Sequence, residues 1–194
     1  MINSINKFLA IIMACAMILG LSFKAHSGSH GGMNVPTIKS SALLSGLENP
    51  WDMAFLPDGT MFFTEKCKGL SVRTKDGSVN ALYGMKGSKG YGNTGSDLFC
   101  AGQAGMLGVV ADIDFAENRT LYVYSTSTKY HGSGCKTNFE KCDGNIVMRF
   151  NVSKDLKSVS NRTDIVKDIQ YKPFKSNQPF GGPGAHNGGR LRIG

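Results

Sequence analysis

What this chain lacks narrows it first. No stretch repeats its apolar residues with the 3.6-residue period of an amphipathic helix, so a helical bundle is excluded. Lys and Arg total 22 against 14 acids, a formal net charge of +8, yet no basic block and no basic patch interleaved with aromatics is present. Such scattered charge argues against nucleic acid as a partner and suits either a mildly basic solvated surface or a small anionic ligand. No apolar run is long enough for a membrane span: Phe8 to Phe23 holds about 16 residues, short of the roughly 20 required. No Cys-x-x-Cys pair or matching histidine spacing supports zinc. The glycine-rich stretch from Gly84 to Gly105 has no Gly-Lys-Ser/Thr ending and no helix after it, which argues against a phosphate-cradling loop.

The short apolar run is read instead as the core of a secretory signal over residues 1–27. Lys7 supplies the positive start, and Ala25-His26-Ser27 places small residues at the positions a signal peptidase reads. Ile12-Met13-Ala14-Cys15 resembles a lipobox only loosely. Residues 28–36 follow as a Gly/Ser/His linker without core-forming side chains, and His26 and His30 are assigned no role. Residues 37–194 form the expected domain. A periplasmic or secreted location follows, with no stable membrane insertion after cleavage. Cleavage also removes Cys15 and leaves Cys67, Cys100, Cys135 and Cys142. An even count in an exported chain favours disulfides, and four cysteines allow three connectivities. Cys135 and Cys142 bracket a short polar loop and are the preferred local pair, which leaves Cys67 with Cys100.

The rest alternates in short apolar and β-branched segments punctuated by turns. Trp51, Met53 and Phe55 mark one face of a strand. Pro57-Asp58-Gly59 is a turn, and Thr60 to Glu65 returns as a second strand. Gly69 to Thr74 and Ser78 to Tyr83 repeat the unit around Lys75-Asp76-Gly77. Leu107 to Phe115 pairs with Thr120 to Thr126, and Asn145 to Val152 with Ile165 to Ile169. Arg190-Leu191-Arg192-Ile193 reads as the start of one further strand. Repeated hairpins of this kind predict an all-β protein built from four-stranded antiparallel blades, a β-propeller. At about 40–50 residues per blade the chain holds roughly three to four, fewer than most closed rings, so a longer parent protein is expected.

His186 is the leading catalytic candidate, because a neutral imidazole in an open glycine loop can accept a proton. Gln103 sits at the end of the first glycine-rich loop, where an amide can donate to and accept from sugar hydroxyls. Asp112 and Asp114 alternate in a presumed strand and remain unassigned, as do the Asn-x-Ser/Thr triplets at Asn118, Asn151 and Asn161.

Three segments in order carry a family resemblance: Leu47 to Glu65; Gly102 to Val109 continuing through Asp114 to Tyr124; and His186-Asn187-Gly188-Gly189-Arg190-Leu191. Together they resemble the soluble quinoprotein glucose/sorbosone dehydrogenases, six-bladed propellers that use pyrroloquinoline quinone (PQQ) and calcium. The resemblance implies PQQ-dependent oxidation of an aldose at C1. His186 would be the general base, Gln103 a sugar contact, the quinone the hydride acceptor and calcium a Lewis acid. The family's calcium ligands and most PQQ contacts fall beyond residue 194. The resemblance therefore implies no metal ligand within these residues and an N-terminal portion inactive by itself. The partners it implies are a small sugar and an electron acceptor of unspecified kind. A propeller that binds carbohydrate or protein without catalysis is the alternative. A calcium-dependent lactonase lacks its carboxylate set here.

Overall fold

The computed structural model describes residues 37–130, 144–171 and 185–194. The chain divides into two compact units, residues 1–43 and 44–194, and the fold below is that of the second. The expected signal over 1–27, the linker over 28–36 and the cysteines Cys135 and Cys142 lie outside the described residues.

Strands β1 (Pro50–Phe55), β2 (Met61–Glu65), β3 (Gly69–Arg73) and β4 (Val79–Met85) form an antiparallel meander. A two-residue strand β5 (Thr94–Gly95) adds to β4 in parallel. The second sheet is antiparallel throughout: β6 (Met106–Ala111), β7 (Thr120–Ser127), β8 (Gly144–Val152) and β9 (Val159–Gln170), in that spatial order. One helical turn, α1 (Phe115–Asn118), joins β6 to β7.

The expected hairpins form where turn chemistry demands them. In the β1–β2 turn Leu56 N–H donates to Thr60 O at 2.8 Å, and Gly59 N–H donates to Leu56 O at 3.0 Å. Asp58 Oδ1 accepts from Thr60 N–H at 3.0 Å, which holds its carboxyl below the ordinary range. The β3–β4 turn repeats the device: Asp76 Oδ1 accepts from Ser78 N–H and from the Thr74 hydroxyl.

The core lies between the sheets. Phe62, Leu70 and Val72 of the first meet Met106, Val109, Leu121, Val123, Ile146, Met148 and Phe150 of the second, all essentially solvent-free. Each such side chain contributes about 1.5–3 kcal/mol by leaving water. A smaller cluster, Leu107, Tyr124 and Val147, is covered by Leu191.

The structure decides one point that the sequence left open and changes two expectations. The Trp51–Met53–Phe55 stripe faces outward, at 40, 56 and 58% exposure, while Asp52 points inward at 7%. Period-2 alternation marks a strand but not which of its faces is buried. Here Asp52 is the inward residue because its polar groups are met: its N–H donates to Thr64 Oγ1, and Oδ2 accepts from Val109 N–H, both at 3.3 Å. Second, β6 ends at Ala111, so Asp112 and Asp114 share no strand face. Asp112 instead organises the turn, accepting from Asp114 N–H, Asn118 Nδ2 and the Tyr122 hydroxyl. Third, Arg190 to Ile193 forms no strand. His186 (φ 60°) and Gly189 (φ 149°) turn the backbone out of the extended line.

The segment from Gly84 to Gly105 is a packed element. Leu98 is fully buried, and Asp97 pairs with Arg162 of β9 through two 2.7 Å contacts. Arg162 also reaches Asp164 at 2.8 Å and the Tyr83 hydroxyl at 3.2 Å. Burial pushes the Asp97 and Asp164 carboxyls up, but Arg162 and the Asp97–Ser127 hydrogen bond outweigh it and leave both below the ordinary range.

Candidate active site

Gln103 sits in a tight turn between sheets. Ala101 N–H donates to Ala104 O at 3.2 Å, and Ala104 N–H donates to Ala101 O at 2.9 Å. This turn is held from both ends by the β2–β3 connection. Cys67 and Cys100 are disulfide-bonded, with Cα atoms 5.2 Å apart, as the sequence pairing expected. On the other side Met106 N–H donates to Lys66 O at 2.9 Å, and Lys66 Nζ donates to Gly102 O at 2.5 Å. Gly105 lies against the same carbonyl: a Cβ there would fall 2.3 Å from Lys66 O, so no other residue fits.

His186 comes to this turn from 83 residues away. Its backbone N–H donates to Gln103 Oε1 at 2.8 Å, and its side chain is exposed. The structure thus brings together the two residues singled out from the sequence. It also occupies one lone pair of the Gln103 oxygen, so a ligand would meet chiefly the amide NH2, a donor.

The residues after His186 anchor it. Asn187 is 4% exposed, and its Oδ1 accepts from Asn145 Nδ2 at 2.8 Å. Asn145, at the start of β8, donates as well to Gln170 O at 2.8 Å. Asn187 Nδ2 and Asn145 Oδ1 are buried, with no hydrogen-bond partner among the described residues. Gly189 presses on the Tyr124 ring, where an added Cβ would lie 2.3 Å from a ring carbon. Burial pushes the Tyr124 phenol up to about 12, so that ring is packing rather than an acid near neutrality. Arg190 reaches the buried Asp52 carboxylate at 3.3 Å, with Arg192 at 4.0 Å.

The two glycines therefore differ in role. Gly189 is required by close packing, whereas Gly188 faces open space beside His186. Sequence reasoning missed Asn145, Asn187 and Asp52. Only the polar interruption of the β1 apolar stripe at Asp52 signalled one of them.

The described residues fit a hydroxyl-bearing ligand: an exposed imidazole, an exposed amide donor and uncrowded space at Gly188. They do not compose a cofactor cradle. Among them no three His, Cys, Asp or Glu side chains gather as a metal site. Arg190 and Arg192 are turned to Asp52 rather than to an open anion site.

The chain belongs to the glucose/sorbosone dehydrogenase family, whose pattern matches residues 47–194. The aldose sugar dehydrogenase YliI of Escherichia coli is 27% identical over 155 residues, 80% of this chain and 35% of its own length. An uncharacterized protein of Synechocystis is 35% identical over 99 residues, 50% of this chain and 23% of its own. The chain thus spans about a third or less of the curated relatives it matches. Among solved structures, the PQQ-bound aldose sugar dehydrogenase of Streptomyces coelicolor shares the fold, with a TM-score of 0.51 at 18% identity over 68% of this chain and 34% of that one. Among the described residues no helix is long and apolar enough to cross a membrane.

Proposed function

We propose that this chain is the N-terminal portion of an exported, periplasmic or secreted, quinoprotein that oxidises an aldose at C1. The longer protein would be a six-bladed propeller. His186 removes the proton of the C1 hydroxyl, and Gln103 donates a hydrogen bond to the sugar beside it. The carrying observation is the 2.8 Å bond from His186 N–H to Gln103 Oε1. It joins at one open surface the two residues that the family resemblance names. A base must lie within reach of the proton it takes, and a neighbouring donor steadies the oxygen that loses it. PQQ, with calcium, is the cofactor of this reading and supplies the hydride acceptor; no described residue is assigned to hold either. Turnover is accordingly a property of the longer protein, and these 194 residues alone are inactive.

The test is dye reduction by a chain extended to the length of its relatives, with PQQ, calcium and a panel of sugars, beside His186→Ala. PQQ-dependent reduction that collapses in the variant supports the assignment. A well-folded extended protein without PQQ-dependent turnover overturns it in favour of a binding-only propeller.

A further inference from the structure

The β2–β3 connection grips the Gln103 turn twice with two adjacent residues. Cys67 is bonded to Cys100 at one end, and Lys66 O holds Met106 N–H at the other. Lys66 Nζ adds a third contact at Gly102 O, next to Gln103 itself. Gln103 in turn carries the His186 backbone. Cys67 is exposed, while Cys100 is part-buried against the core. We infer that the Cys67–Cys100 disulfide is a positioning device for the candidate site: it sets where Gln103 stands and, through the 2.8 Å bond, where His186 stands. The site is then redox-sensitive from the protein surface. Its functional consequence rests on the reading above, but the geometry does not.

The strands on either side explain why the effect is local. β2 and β3 pair residue for residue up to Glu65 and Gly69, and Met85 N–H donates to Lys68 O at 2.7 Å. These bonds do not depend on the bridge. Among the described residues, the backbone from Cys100 to Gly105 is held besides by its own two-bond turn, by the Lys66 contacts and, at its far end, by Thr126 N–H donating to Gly105 O at 3.1 Å, so Gln103 itself lies between the bridge and those anchors. When a dithiol reduces the bridge, it supplies two electrons and two protons. The S–S bond becomes two thiols, and the dithiol closes into a cyclic disulfide. Gln103 is then freer to leave His186.

The experiment uses the whole chain, 15N-labelled, and reads native-state amide chemical shifts rather than activity, so it stands or falls apart from the catalytic proposal. Gln103→Ala defines the His186 amide shift when the acceptor is gone. Addition of dithiothreitol to the oxidised protein, and separately Cys67→Ser, is expected to move the His186 amide at least half-way to that position. The β7 and β8 amides should keep theirs. An unmoved His186 amide with the bridge demonstrably reduced overturns the inference. Collapse of the whole spectrum on reduction also overturns it, because the bridge would then be a general staple.

Discussion

Two polar junctions in this molecule join distant parts of the chain, and they are built in opposite ways. At one, Arg162 of β9 locks Asp97, in the first glycine-rich segment, to Asp164. Arg162 and Asp97 are 17 and 18% exposed and Asp164 4%. Nearly every donor and acceptor is used, so the cluster has nothing left to offer a ligand. At the other, Gln103 and His186 meet through a single hydrogen bond, and both side chains are exposed. A saturated, half-buried ion cluster holds a fold together. An exposed pair, joined through backbone and with the imidazole and the amide NH2 facing outward, is free to do chemistry.

The sharpest break between the two is His186→Ala in the extended protein. Activity should fall on the order of 10²–10⁴-fold, the usual contribution of a general base, with the urea midpoint unchanged. Arg162→Ala should do the reverse. It leaves Asp97 and Asp164 without their shared partner, at a cost of roughly 3 kcal/mol read from urea unfolding. If R162A instead left stability intact, the cluster would be ornamental and the contrast would fail.

Acid sharpens the same contrast. Both carboxyls titrate lower in the folded chain than the usual 3.8, so the stability they confer is complete above that value. It drains as the pH falls through their depressed folded values. The urea midpoint of the parent should therefore drop below about pH 4. That drop should shrink in the R162A protein, whose carboxyls have lost the cause of the shift. Gln103→Ala should have the smallest effect on the fold, at most about 1 kcal/mol for one solvent-accessible hydrogen bond. In the extended protein it should weaken sugar binding more than it slows turnover; an unchanged KM would remove Gln103 from the sugar contact.

Much of the fold was legible because turns and strands are local. Pro57-Asp58-Gly59 and Lys75-Asp76-Gly77 place the hairpins that form, and β-branched runs such as Thr120 to Thr126 are strands because their side chains suit a pleated surface. His186 and Gln103 stood out for residue type and glycine context, which are also properties of the sequence. Less legible were facing and partnership. Nothing local in Trp51-Asp52-Met53 says that the aspartate points in. Burial of Asp52 depends on Thr64, Val109 and Arg190, up to 138 residues away. The further strand expected at Arg190 to Ile193 failed for the same reason. Its alternation is real, but the left-handed turn at His186 and the Tyr124 ring beneath Gly189 take that backbone elsewhere.

The amino-acid sequence by itself determined the all-β class, the hairpin units and the identity of the two candidate site residues, while it left three cysteine connectivities open. These follow from backbone preference, turn chemistry and residue type, which act over a few positions. Only the tertiary structure decided that Gln103 and His186 touch, that Asn145 and Asp52 brace the segment beside them, and that one glycine packs while its neighbour stays open. Those outcomes depend on which groups meet across dozens of residues, and such meetings are set by the packing of the two sheets.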